Sequence, residues 1–129
     1  MNFRVLFLLF IVPGLHAELP PSAYEAMQAK AAEQLEIEVL RVSVETGESP
    51  TQKDVHVVAL TVKVIRTGSD LKPNEIINIL YSIRDHPQGW QGAGEVPIPA
   101  EKAHSVAYLT RMESGDFAPA AGRMSFSNF

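Results

Sequence analysis

The sequence contains no cysteine. That excludes disulfides, a thiolate nucleophile, a cysteine-ligated metal and a lipid-modified cysteine. Packing and the backbone ladder must hold the fold together unaided. Positive charge is scarce as well: 11 basic residues face 15 acids, for a formal net charge of −4. Nucleic acid and anionic membrane surfaces attract the opposite balance, so neither is an expected partner. Aromatics make up 8 % of the chain, with a single tryptophan, Trp90. There is no internal repeat and no low-complexity segment.

The signatures of chemistry are missing too. Beyond the N-terminal segment the histidines are His56, His86 and His104, without His-x-His or His-x3-His spacing. A zinc site needs three or four convergent ligands, so no metal and no cofactor is expected. No G-x-S-x-G elbow supports a serine nucleophile. The glycines of GWQGAG lack the lysine and the strand-to-helix context of a phosphate loop. Glu36 and Glu38 read as the solvent face of a strand. No catalytic residue is assigned.

The first segment, residues 1–17, has the layout of a secretory signal peptide. Arg4 is a basic start, Val5 to Val12 is continuously apolar, Pro13-Gly14 breaks a helix, and Leu15-His16-Ala17 ends in a small residue. An uncleaved anchor is the alternative, but a core of about eight residues falls far short of the ~20 that span a bilayer. Cleavage after Ala17 predicts a secreted or periplasmic protein with no membrane insertion. It removes one base and no acid, so the remaining chain is more acidic by one charge. An exported domain without disulfides suits a bacterial periplasm or exterior.

Residues 18–34 form a lead. Ser22-Ala23-Tyr24-Glu25 matches a capping box, and Ala26, Ala29, Ala31 and Ala32 favour helix. A short helix from about Ala23 to Ala31 is predicted, with a flexible tether as the alternative. Residues 35–129 are the β-domain. In Leu35 to Val44, Leu35, Ile37 and Val39 alternate with Glu36 and Glu38; the phase then slips, and Leu40, Val42 and Val44 become the inward set. One extra residue is how a β-bulge reads in sequence.

The stretch from Asp54 to Ile83 dominates the domain. Val58, Leu60, Val62 and Val64 share one face and Ile77, Ile79, Tyr81 and Ile83 another, either side of a turn built from Gly68, Ser69, Asp70, Pro73 and Asn74. This predicts an antiparallel pair. Val96-Pro97-Ile98-Pro99 is an edge or an extended crossing, because each proline removes a ladder donor. Ala103 to Met112 is a fourth strand, Phe117 to Gly122 a loop with an apolar anchor, and Met124 to Ser127 a last short strand. The fold class is mostly all-β: a small five-stranded OB-like barrel or open sandwich with a short N-terminal helix.

The order of the bent strand LEIEVLRVSV, the strand–turn–strand LTVKVIRTGSDLKPNEIINILY, a glycine-bearing loop and the AYL strand resembles the secreted OB domains of the netrin-module and tissue-metalloproteinase-inhibitor group. The resemblance runs from about Leu35 to Phe126 and implies a fold. In those inhibitors an N-terminal cysteine amine chelates the target's zinc. This sequence has no cysteine, so that activity is not implied.

The candidate binding residues are Arg84, Asp85, His86, Trp90 and Gln91, in the polar loop from Arg84 to Glu95. Trp90, between glycines, reads either as a contact that stacks on a sugar or fills a partner's pocket, or as a plug for one end of the barrel. The expected function is a non-enzymatic, exported ligand- or protein-binding module of the cell envelope or exterior. Its partner would be an envelope or extracellular protein or a glycan. A small secreted hydrolase and a structural envelope component are the alternatives.

Overall fold

Alternation along the chain sets the strands, and a few displaced residues set their curvature. The structure, a computed structural model, describes residues 19–85 and 94–127. Helix α1 (Pro21–Lys30) leads into β1 (Glu33–Thr46), β2 (Gln52–Arg66) and β3 (Ile76–Arg84). After them come β4 (His104–Arg111), β5 (Phe117–Pro119), a 3₁₀ turn (Gly122–Met124) and β6 (Phe126–Ser127). The sheet runs β1-β2-β3-β5-β4, and β1 also pairs with β4, which closes a five-stranded barrel; β6 adds to β4. This order is consistent with an OB-like fold. The barrel, not the open sandwich, is the architecture.

The strand β1 holds the barrel together because it serves two neighbours. It pairs antiparallel with β2 from Gln34 to Thr46 and with β4 from Glu33 to Glu38. The bulge expected at Leu40 is present: Val39 opposes Ala59 and Arg41 opposes Val58, so Leu40 is the extra residue. Two further displacements fall in β2, at Val62 and Ile65. All three extra residues are exposed, at 40–45 %. Each bulge tightens the local twist, and together they bend the sheet into closure.

The inward set differs in part from the expected one. Leu35, Ile37, Val39, Val55, Val57, Ala59, Ile77, Ile79, Leu109 and Phe117 form the core. In β2 the buried parity is therefore Val55, Val57, Ala59 and Thr61, while Val58 and Leu60 are half-buried on the outer face and Val62 is exposed. Beyond the bulge Val42 packs against the core, but Leu40 and Val44 are exposed. In β3 the expected face holds, with Tyr81 and Ile83 packed behind Ile77 and Ile79. At ~1.5–3 kcal/mol for each fully buried aliphatic side chain, this interior is the main apolar contribution.

The segment read as a loop, Phe117 to Gly122, contains β5. Ile79 bridges Phe117 in parallel, and Leu109, Thr110 and Arg111 pair with Pro119, Ala118 and Phe117. This short strand is the seam between the two halves of the barrel. The last strand is shorter than expected, because the 3₁₀ turn takes up Gly122 to Met124.

The helix begins earlier than the sequence reading placed it, and no side chain caps its start. Pro20 is the N-cap and Pro21 the first helical residue, where a missing N–H costs nothing, so Ser22 lies inside the helix. It is docked on the barrel. Gln28 Nε2 donates to Met124 O at 2.9 Å, and the Arg123 guanidinium lies 5.1 Å from the centre of the buried Tyr24 ring. Arg66 holds the C-terminal end, donating to Gln28 O at 2.8 Å, Ala31 O at 3.0 Å and Gln34 Oε1 at 3.3 Å. Among the described residues, no helix is long and apolar enough to cross a membrane.

Candidate binding cleft

With the barrel interior filled by side chains, the outer face of β1-β2-β3 carries the polar groups. The ladder sets Glu45 opposite Asp54 and Asp54 opposite Ser82, and likewise Ser43 opposite His56 and His56 opposite Leu80. Directly opposed residues share a face, so two short rows, polar except for Leu80, lie side by side. They line a cleft of about 640 Å³, with Glu48 and Gln52 contributed from its end.

Hydrogen bonds fix several of these groups. Ser82 Oγ donates to Asp54 Oδ1 at 2.8 Å, and Gln52 Nε2 donates to the same oxygen at 3.1 Å. Ser82 first, then Gln52, hold the Asp54 carboxyl below the usual carboxylate range, against a smaller opposing effect of desolvation. His56 Nε2 lies 2.7 Å from Asn78 Oδ1, so the imidazole and the amide orient each other. Gly47 makes room for this arrangement. A Cβ there would stand 2.8 Å from Gln52 Nε2 and 3.0 Å from Asp54 Oδ1.

The arrangement orients groups for contact. A serine nucleophile needs a base within about 2.6–3.2 Å to take its proton. The base in reach of Ser82 Oγ is the Asp54 carboxylate at 2.8 Å, and its lowered pKa makes it a weak proton acceptor; the His56 imidazole is engaged by the Asn78 amide. Among the described residues no three histidines or acids converge as metal ligands. Glu45, Glu48 and Asp54 make the cleft electronegative, suited to cationic groups and to hydroxyl donors.

Two of the residues singled out from sequence stand at the cleft's end. Arg84 opposes Gln52, and its N–H donates to Glu95 Oε1 at 2.9 Å. Asp85 N–H donates to Thr51 O at 2.8 Å, and its carboxylate meets Lys53 Nζ at 2.9 Å. That ion pair is exposed and contributes no more than ~1 kcal/mol. Asp85 thereby ties the start of its loop to the β1–β2 turn. His86, Trp90 and Gln91 lie outside the described residues, so both readings of Trp90 stand as they were. His104 is an exposed residue at the start of β4.

Sequence reasoning missed Ser43, Glu45, Asn78 and Ser82 as neighbours of Asp54 and His56. The signal was available: polar residues alternate on the outer face of three consecutive strands.

No family model, curated protein or solved structure matches the chain.

Proposed function

We propose that the protein is an exported, non-enzymatic binding module of the cell envelope or exterior, and that it binds through the outer face of β1-β2-β3. One observation carries this reading: core side chains pack the barrel interior, while a cleft of about 640 Å³, in which fixed polar groups stand beside Leu80 and Met112, lies on its outer wall. Core side chains occupy the barrel interior, and fixed surface groups lower the ordering cost of binding. In OB-type barrels the face of the second and third strands, with the loop between the first two, is the usual binding surface. The cleft occupies that position here. Its negative charge favours a protein segment bearing lysine or arginine, or a glycan that donates hydroxyl protons to Glu45, Glu48 and Asp54. Arg84 and Asp85 stand at the end of the cleft, beside Gln52 and Lys53.

The signal-peptide layout of residues 1–17 supports export. The strand order and bulged first strand support a relationship in fold to the secreted OB domains of the netrin-module and tissue-metalloproteinase-inhibitor group. Without a cysteine, the zinc-chelating mode of those inhibitors has no counterpart here.

Affinity capture from the envelope fraction of the native organism tests the proposal. The parent should retain a partner or glycan that Asp54→Ala/Ser82→Ala protein, folded to the same extent by circular dichroism, fails to retain. Equal retention by both would remove the cleft from consideration.

A further inference from the structure

Beyond Glu38, β1 has a strand on one side only. Its pairing with β4 ends at Glu38, and Val39 then exchanges hydrogen bonds with Ala103 O and Lys102 N. From Arg41 to Thr46 the single neighbouring strand among the described residues is β2. In an antiparallel ladder the backbone groups of alternate residues point to the partner and away from it. Gly47 N–H donates to Gln52 O, so Glu45 and Ser43 also point to β2, and Val42, Val44 and Thr46 point outward. The outward direction is visible at Val42, whose N–H donates to Glu101 Oε2 at 3.2 Å. An exposed carboxylate thus blunts one position of this edge. Val44 and Thr46 have no such cover among the described residues, and Val44 is 42 % exposed although it opposes the buried Val55.

We propose that this edge of β1 pairs antiparallel with the same edge of a second copy of the chain, about a two-fold axis at Val44. Self-complementarity singles out that occupant and that register. With Val44 facing its own counterpart, the two exposed valines meet and Val42 faces Thr46 of the second copy. On the other face Ser43 lies opposite Glu45, and Arg41 lies diagonal to Glu45, within reach of a long side chain. Both charged contacts occur twice by symmetry. Sliding one copy so that Glu45 faces Glu45 sets like charges together. Sliding it the other way brings Thr46 of the second copy opposite Leu40, against the segment 101–103 that already occupies the edge at Val39. The central register avoids both conflicts. Glu101 is its competitor, since the Val42 N–H must leave that carboxylate to reach the second copy.

Sedimentation velocity over a concentration series, on the purified chain, reads the association directly. The parent should pass from monomer to dimer as concentration rises. Glu45→Arg sets arginines diagonal to each other and should weaken association at least tenfold, and Arg41→Glu/Glu45→Arg should restore it by exchanging the charges. Val44→Pro removes an N–H that points away from β2 and finds no acceptor among the described residues, and should abolish the dimer. Glu101→Ala should strengthen it. A parent that stays monomeric throughout, whether its edge is bare or covered by another part of its own chain, overturns the proposal. So does a dimer indifferent to the charge reversal, or one that the double exchange fails to restore.

Discussion

Thr67 Oγ1 donates a 2.6 Å hydrogen bond to Oε1 of Glu33, a carboxylate that is 1 % exposed. The same hydroxyl oxygen accepts from the N–H groups of Ser69 and Leu71, at 3.2 and 3.1 Å, and Gly68 N–H donates to Glu33 Oε2 at 3.3 Å. One buried side chain at the start of β1 therefore organises the turn between β2 and β3. Thr67→Val should destabilise the protein by about 2 kcal/mol, because it leaves a buried acceptor and two turn amides without their partner. Urea unfolding at neutral pH measures this. Serine at the same position keeps the hydroxyl and should recover most of the loss.

Thr61 presents the opposite case. It is fully buried in β2, and its hydroxyl has no hydrogen-bond partner among the described residues. Thr61→Val replaces the hydroxyl with a methyl group of nearly the same shape. It should raise stability by about 1 kcal/mol, since the desolvation cost of an unpaired polar group disappears. A higher urea midpoint with an unchanged slope is the expected result.

Tyr81 links stability to alkaline pH. Its phenol donates to Pro97 O at 2.7 Å, and burial pushes its pKa upward from the ordinary value of 10.0. A pKa raised on folding means that the unfolded chain ionises first. The tyrosine's contribution is thus complete below pH 10 and is lost as pH rises toward the folded-state value. Tyr81→Phe should cost about 1 kcal/mol at pH 8, the worth of one hydrogen bond. The gap between variant and parent should narrow at pH 11, as urea midpoints at the two pH values will show.

Phe117 closes the seam between β3 and β4 and is 2 % exposed. Phe117→Ala should cost ~3–5 kcal/mol, the range for aromatic-to-alanine changes in a core. Amide exchange resolves where the loss falls. Protection should drop first in β5 and along the facing residues of β3, with the β1–β2 ladder least affected.

These sites differ in how far the sequence exposes them. The bulge at Leu40 is legible because acids mark the outer face before it and the parity of apolar residues changes after it. The bulges at Val62 and Ile65 are not, because VVALTVKVI is apolar at both parities and periodicity cannot choose between them. The same ambiguity put Val58 and Leu60 on the inward face, where the structure has Val57 and Ala59. Ser22 and Glu25 have the spacing of a capping box, but the two prolines before them start the helix sooner. In β5 three residues ending in Pro119 carry no strand signal, and its pairing with Ile79 is a distant contact. The cleft was half visible: Asp54 and His56 share a face two residues apart, whereas Ser82 and Glu45 reach them only through strand pairing.

The proposed binding surface is the outer wall of the barrel, whose interior is occupied by core side chains. Amide chemical-shift mapping tests it most directly, with ¹⁵N-labelled protein titrated by the partner or glycan that affinity capture recovers. Shifts should concentrate at Ser43, Glu45, Asp54, His56 and Ser82, with Ile37, Ile79 and Leu109 undisturbed. Shifts centred on β4 and β6, or spread through the barrel interior, would contradict it.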